Sequence, residues 1–331
     1  MSTAPSRIRR LLIAAGLAAG ALPLTGFAAG DAPKEIRLDY AYYSPTSLVL
    51  KRFGWLEQAV KPAGIEVKWT LSQGSNRALE FLNSGAIDFG STAGLAAVLS
   101  RANGNPIRSV YVYSRPEWTA LAVPKDSTIK SVAELKGKRI AATKGTDPYL
   151  FLLRSLHEAG LSRNDVEIVH LQHPDGRVAL EQKRVDAWAG LDPHLAASEL
   201  EAGSKLIYRN VNFNTYGFLN VSEKFLKAHP DQVKTVIAAY ERARRWVIAN
   251  PDEAAKILAE EAKLNLPVAQ AQLKRTDFSN PRIGREHHDA LRAAAPILVE
   301  EELVRKGTDV AKVVTELIDP SHAAAVLASK D

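Results

Sequence analysis

The sequence predicts an α/β protein made of two lobes, and three observations support this prediction. At 331 residues the chain is longer than one hydrophobic core usually serves. Short apolar strands, each followed by a polar turn and an amphipathic helix, recur along it, which is typical of a parallel sheet covered by helices. Two extended segments, residues 118–124 and 216–221, separate these units into two groups. Each group is predicted to form one lobe.

The first 29 residues differ from the rest and predict a cleaved signal peptide. Arg7, Arg9 and Arg10 precede an apolar run at residues 11–22, and small residues follow at 26–30. Glycines and a proline interrupt this run, which is shorter than the roughly 20 apolar residues that a membrane-spanning helix needs. We therefore expect the mature chain to be exported to a bacterial periplasm without inserting into a membrane.

The first group contains three strand–turn–helix units. Their strands are predicted at residues 36–42, 65–70 and 86–90. The first turn contains Ser44 and Pro45, and a serine N-cap followed by proline at the first helical position is a strong helix start. The polar turns at 73–76 and 91–94 are predicted to open helices in the same way.

The second group follows the same order before the chain returns to the first. It comprises strands at 139–142, 166–171 and 185–188 and a helix at 149–159. From Pro230 onward the pattern is helical, and these helices are predicted to pack on the first lobe. We assign residues 34–120 and 216–331 to the first lobe and residues 121–215 to the second.

Composition and motifs exclude several classes of function. The chain has no cysteine, which excludes disulfides, thiolate metal sites and a lipid-anchor cysteine. Its formal net charge of +6 includes the three arginines of the leader, and no basic stripe indicates nucleic-acid binding. The motifs of the nucleophile elbow, the phosphate loop and the dinucleotide loop are absent. We therefore expect that the protein is not an enzyme and that it has neither a catalytic residue nor a cofactor.

Two histidine pairs raise the question of a metal site. His170 and His173 straddle a strand end, without an acidic partner at helical spacing, and His287 and His288 are adjacent in a polar turn. We expect all four to be solvated surface residues, and no metal site.

Four polar turns are predicted to form a binding site for an anion. The residues concerned are Ser44, Thr46, Gly74, Ser75, Ser91, Thr92, Gly145 and Thr146. Each turn places backbone N–H groups and a hydroxyl at a helix N-terminus, where the helix dipole favours negative charge. The alternative is that each turn is an ordinary N-cap. Because the carboxyl ends of parallel strands share one edge of a sheet, we expect the turns to face a crevice between the lobes.

Three aromatic residues lie near the same strand ends. We consider Trp118, Tyr149 and Trp188 candidates to contact an apolar ligand tail, with Trp188 the foremost. The alternative is that these side chains only pack within the protein.

Several segments resemble the aliphatic sulfonate binding proteins of ABC importers, within a group that also serves nitrate, taurine and thiamine-precursor ligands. The matching segments are residues 82–90, 123–127, 131–138, 144–146, 185–188 and 192–193. They fall within residues 36–245.

The resemblance implies a type II periplasmic binding protein fold, in which two lobes joined by two crossover strands close on a ligand. It implies a small organic anion, most simply an aliphatic sulfonate, as ligand, and importer permease subunits as partners. We expect the mature chain to be a monomer. The resemblance places the ligand turns on the residues named above and adds Asp192. Because like charges repel, Asp192 would orient neighbouring hydrogen-bond donors and would not contact the anion itself. Relatives often carry an acid after the third strand, which is missing at residues 91–94. Sulfate esters, taurine, nitrate or a thiamine-pyrimidine precursor remain alternative ligands, and a biosynthetic enzyme on this scaffold is a further alternative.

Overall fold

The computed structural model describes Met1 and residues 32–328. The predicted signal peptide therefore lies almost entirely outside the described residues. Within them no helix combines the length and the apolar character needed to cross a membrane.

The strands form two separate sheets. They are β1 Glu35–Tyr40, β2 Glu66–Leu71, β3 Phe89–Ala93, β4 Ile107–Pro116, β5 Thr119–Val123, β6 Arg139–Ala142, β7 Glu167–His170, β8 Ala187–Leu191, β9 Lys205–Arg209, β10 Gly217–Ser222 and β11 Thr276–Asp277. The first sheet has the order β11-β4-β10-β3-β1-β2 and the second has the order β7-β6-β8-β5-β9. In each sheet parallel strands are joined by antiparallel ones: β10 runs against β3 and β4, and β5 runs against β8 and β9.

Helices cover both sheets. They are α1 Pro45–Phe53, α2 Trp55–Val60, α3 Ser75–Ser84, α4 Gly94–Ala102, α5 Asp147–Glu158, α6 His173–Glu181, α7 His194–Ala202, α8 Glu223–Ala228, α9 Pro230–Ala249, α10 Pro251–Ala262, α11 Leu266–Lys274, α12 Arg285–Ala294, α13 Pro296–Glu300, α14 Val310–Leu317 and α15 Ser321–Ala328. The long helix α9 packs on α1 and β4, whereas α11 also packs on α7 and α13 on α5.

The chain crosses between the sheets twice. It leaves the first sheet after β4, enters the second at β5, and returns between β9 and β10. One buried apolar cluster includes Leu79 and Leu82 of the first lobe together with Leu150 and Leu153 of the second. The two lobes are therefore in contact beside the crossovers. The residue boundaries predicted for the lobes stay a prediction.

The third turn differs from the prediction. Strand β3 continues through Ser91 and Thr92, which were expected in a turn. The reason is a partner that is distant in sequence: β10 pairs antiparallel with β3, setting Leu219 opposite Ser91 and Phe218 opposite Thr92. Long-range ladder hydrogen bonds thus extend a strand where local sequence favours a turn.

Candidate functional site

Three helices begin at the edge between the lobes without a side-chain cap. We call residues 44–46, 74–76 and 145–147 the interlobe turns; they precede or open α1, α3 and α5. None of these helices has its N-cap side chain bonded to a first-turn amide. Most of the other described helices also lack such a cap, and α8 is an exception, since Ser222 accepts a hydrogen bond from the amide of Phe225 at its start. The interlobe turns are therefore not ordinary side-chain N-caps.

Glycines let the two lobes approach each other at these turns. A side-chain carbon at Gly74 would lie 2.9 Å from Nε2 of His173, so only glycine fits against the second lobe there. Gly145 has φ +78°, a conformation that favours glycine, and a side-chain carbon at this position would lie 3.6 Å from Cβ of Asn76. The starts of α3 and α5 are thus neighbours.

Trp118 connects the remaining elements of the site. Its ring meets Tyr43 edge to face at a centroid distance of 5.9 Å, and its Nε1 donates to Oδ2 of Asp147 at 3.0 Å. Its carbonyl accepts from the amide of Asp192 at 2.9 Å. The side chain is 3% exposed. Trp118 therefore ties the turn before α1 to the start of α5 and to the end of β8.

Two of the predicted hydroxyls are buried without a partner. Ser44 and Thr46 are fully buried, and neither Oγ of Ser44 nor Oγ1 of Thr46 has a hydrogen-bond partner. Oγ1 of Thr119, at the start of β5, is likewise buried without a hydrogen-bond partner. An unpaired buried hydroxyl typically costs about 1–3 kcal/mol. These groups are therefore suited to donate to a ligand.

The other predicted hydroxyls are held by the protein. Oγ of Ser75 accepts from the amide of Ala93, and Oγ1 of Thr146 donates to the carbonyl of Thr143. Oγ of Ser91 lies 3.2 Å from the hydroxyl of Tyr240, and Oγ1 of Thr92 accepts from Asn220. Ser75 and Thr146 therefore help to fix two of the interlobe turns, whereas Ser91 and Thr92 belong to strand β3.

Helix α4 is capped from the second crossover. The amide of Gly94 donates to the carbonyl of Thr215, and the amide of Leu95 donates to its Oγ1, both at 2.9 Å. The start of α4 consequently has fewer free N–H groups for a ligand than the interlobe turns have.

Tyr149 and Trp188 have different surroundings. Tyr149 lies 5.5 Å from the ring of His170, and with Gly145 it lines an open groove of about 960 Å³ between the lobes. Trp188 is fully buried beneath Gly176 of α6, in an apolar cluster of the second lobe, and its Nε1 has no partner. The structure therefore places Tyr149 at the groove and Trp188 in a core.

Asp192 is a buried acid with a cationic partner. Its Oδ1 accepts from the amide of Ala196 in α7 and lies 3.3 Å from Nη1 of Arg275. Burial raises the pKa of Asp192 to about 6, and Arg275 opposes this rise. The orienting role expected for Asp192 stays a prediction.

Sequence reasoning missed His173, whose surface location was predicted wrongly. His173 and His287 are both fully buried. His173 opens α6 ahead of Pro174, so the same strand, turn and helix order that identified the other turns could have identified it. Burial lowers its pKa to about 3, and the ring is therefore neutral near pH 7. Within the described residues, no three or more histidine, cysteine, aspartate or glutamate side chains are grouped so that they could hold a metal ion.

Asp39 lies fully buried beneath Ser91, whose amide donates to its Oδ1 at 2.7 Å. Burial raises the pKa of Asp39 to about 7, and the hydrogen bond from Ser91 lowers it in part. An acid whose pKa is raised on folding loses stability as pH rises from its unfolded pKa of about 4 to its folded one. We expect Asp39→Asn to gain stability relative to the parent protein more at pH 8 than at pH 4.5.

Urea unfolding at the two pH values measures this difference. Asp126→Asn is a matched control, because Lys183 lowers the pKa of this exposed carboxyl, so the carboxyl is ionised in the folded and the unfolded chain at both pH values and its substitution should have the same effect at each. A stability difference for Asp39→Asn that does not change with pH would contradict the prediction.

Comparison with known proteins identifies the family. The model of the family described as NMT1/THI5 like matches residues 54–254. A Bacillus subtilis protein assigned to aliphatic sulfonate binding is 30% identical over 284 residues, which cover 85% of this chain and 86% of that protein.

Solved structures confirm the predicted fold. The alkanesulfonate-binding protein of Xanthomonas axonopodis pv. citri, bound to MOPS, is 26% identical with a TM-score of 0.79, covering 87% of this chain and 99% of that chain. A desulfurization enzyme shares the fold alone, at 17% identity and a TM-score of 0.66, covering 90% of this chain and 100% of that chain. Since the family model spans more than half of the sequence and the Bacillus relative most of it, the chain belongs to the NMT1/THI5-like family.

Proposed function

We propose that this protein is the periplasmic solute-binding component of an ABC importer, and that it captures an aliphatic sulfonate between its lobes. The observation that carries the proposal is the meeting of uncapped helix N-termini with the free hydroxyls of Ser44 and Thr46. The proposal is supported by the two sulfonate-binding relatives, which match over nearly the whole described chain.

A sulfonate suits neutral donors of this kind. It is ionised at every physiological pH and offers three acceptor oxygens. Hydrogen bonds to a charged group contribute about 1.5–3 kcal/mol each, so a few of them reach micromolar affinity, which corresponds to about 8 kcal/mol. His173 is neutral near pH 7, and Asp192 is paired with Arg275, so neither brings an unpaired charge to the site.

The site favours binding over catalysis. Ser44 and Thr46 have no hydrogen-bonded base that could activate them as nucleophiles. Oγ1 of Thr143 lies 3.1 Å from Nδ1 of His173, but this hydroxyl donates to the carbonyl of Leu171, and the low pKa of His173 makes it a weak base. We infer a binding protein that works as a monomer with the permease subunits of its importer.

Closure of the lobes would couple capture to delivery. The two crossovers, at residues 117–118 and 210–216, are short segments between sheets that can act as a hinge. The starts of α3 and α5 are neighbours here, so opening would separate them to admit the ligand, and closing would exclude water, which strengthens hydrogen bonds to the anion.

A thermal melting screen tests the proposal. The probes are ethanesulfonate, longer alkanesulfonates, taurine, an alkyl sulfate ester, sulfate and nitrate. A ligand at a hundredfold excess over its Kd adds about 2.7 kcal/mol to the folded state, so the midpoint should rise with the alkanesulfonates. A rise with another anion instead would keep the transport role and replace the ligand. No rise with any probe would refute capture of a small anion.

A further inference from the structure

The open groove continues from the interlobe turns along two helices. One wall is a single face of α3, formed by Asn76, Leu79, Glu80 and Asn83. The adjoining wall is a single face of α4 and its C-cap, formed by Ala96, Leu99, Ser100 and Asn103. Both sets have the spacing of one helical face. Tyr149 and Gln172 of the second lobe close the other side.

The length of the groove exceeds that of a sulfonate group. Asn76 and Asn83 are seven residues apart on α3, which corresponds to about 10 Å along the helix axis. Asn76 belongs to an interlobe turn, so a ligand whose anionic head is held at the turns would direct its tail into the groove. The groove therefore has room for a tail of about six atoms or more.

Three amide oxygens along the groove have no hydrogen-bond partner. Asn105 is 4% exposed, and its Nδ2 donates to the carbonyl of Leu79 and to Oγ of Ser100, which leaves Oδ1 unpaired. Oδ1 of Asn76 and Oε1 of Gln172 are likewise buried without a partner. All three are acceptors, so a hydrocarbon tail would leave them unsatisfied, whereas a tail with O–H groups would not.

The groove carries charges of both signs, since Glu80, Asp175 and Glu302 line it together with Lys144 and Arg163. Glu80 is paired with Arg77 at 2.6 Å, and Glu302 is paired with Arg163 at 3.5 Å.

We propose that the ligand is a sulfonate with a hydroxylated tail, whose hydroxyl groups donate to Asn76, Asn105 and Gln172. This inference rests on the proposed function, because it assumes that the interlobe turns hold the sulfonate head.

Calorimetric titration of the purified protein with matched sulfonates tests it. The probes are ethanesulfonate for the head alone, 1-hexanesulfonate, and a 1-deoxyhexitol-1-sulfonate of the same chain length. We expect the hexitol sulfonate to bind at least tenfold more tightly than hexanesulfonate. Gln172→Leu and Gln172→Ala should each reduce this ratio at least threefold while changing the affinity for ethanesulfonate less than twofold.

Gln182→Leu is the control, since Gln182 ends the same helix, is exposed and does not line the groove. If ethanesulfonate binds, but hexanesulfonate binds as tightly as the hexitol sulfonate or more tightly, the tail proposal is wrong and the head site stands. A hydroxyl preference that survives both Gln172 variants would also contradict the tail proposal. If no sulfonate binds, both the head site and the tail site are wrong.

Discussion

Replacing Thr46 by valine should weaken sulfonate binding about 10- to 100-fold without destabilising the ligand-free protein. Thr46 is fully buried at the start of α1, and its Oγ1 has no partner within the protein. Valine keeps the shape and removes the hydroxyl, so one hydrogen bond to the charged head is lost, worth about 1.5–3 kcal/mol. An unpaired buried hydroxyl is itself unfavourable, so we expect the stability of the ligand-free form to stay equal or to rise.

Calorimetric titration gives the affinity and urea unfolding gives the stability. Thr235→Val is the matched control, since this exposed hydroxyl donates to the carbonyl of Asp231 far from the interlobe turns. It should leave ligand affinity unchanged. Parallel losses of affinity and stability in Thr46→Val would show that this hydroxyl is structural, contrary to the proposed site.

Replacing Arg275 by methionine should destabilise the folded protein by roughly 3–5 kcal/mol at pH 8, because it leaves a buried carboxylate without its partner. Arg275 contacts both Asp192, at 3.3 Å, and Glu199. Asp192 is fully buried and belongs to the second lobe, whereas Arg275 follows α11 and precedes β11 of the first sheet. The pair therefore also links the lobes, and sulfonate affinity should fall along with stability.

Arg52→Met provides the comparison for this effect. Arg52 also contacts two carboxylates, those of Glu260 and Glu261, but its side chain is 45% exposed. Exposed ion pairs contribute about 0–1 kcal/mol. Because burial already raises the pKa of Asp192, loss of Arg275 should raise it further and make the destabilisation smaller at pH 5 than at pH 8. If Arg275→Met and Arg52→Met destabilise the protein equally, burial of the ion pair does not explain the effect at Arg275.

Local signals were sufficient to locate the interlobe turns. Proline at the first helical position marks α1 after Ser44, and the glycines at 74 and 145 mark close approach or a left-handed conformation. These features depend on residues next to each other in the chain, so a single sequence contains them. For the same reason the alternation of strands and helices could be predicted, together with the fold class.

Predictions that depended on distant partners were less successful. Ser91 and Thr92 were expected in a turn, yet β10 pairs with them from about 130 residues away and makes them part of a strand. His173 was expected at the surface, but it is buried against Gly74 of the other lobe. No local pattern reports either contact, because each involves a segment far away in sequence.

Residues adjacent along the chain were enough to predict the two-lobed α/β fold, the helix starts at Ser44, Gly74 and Gly145, and the resemblance to sulfonate-binding proteins. Which polar groups are free for a ligand became visible in the folded chain alone. Ser75, Thr92 and Thr146 have the same hydroxyl chemistry as Ser44 and Thr46, but neighbouring backbone and side-chain groups already bond them. Whether a hydroxyl is occupied depends on what the folded chain places within about 3 Å of it, and residue type alone does not contain that information.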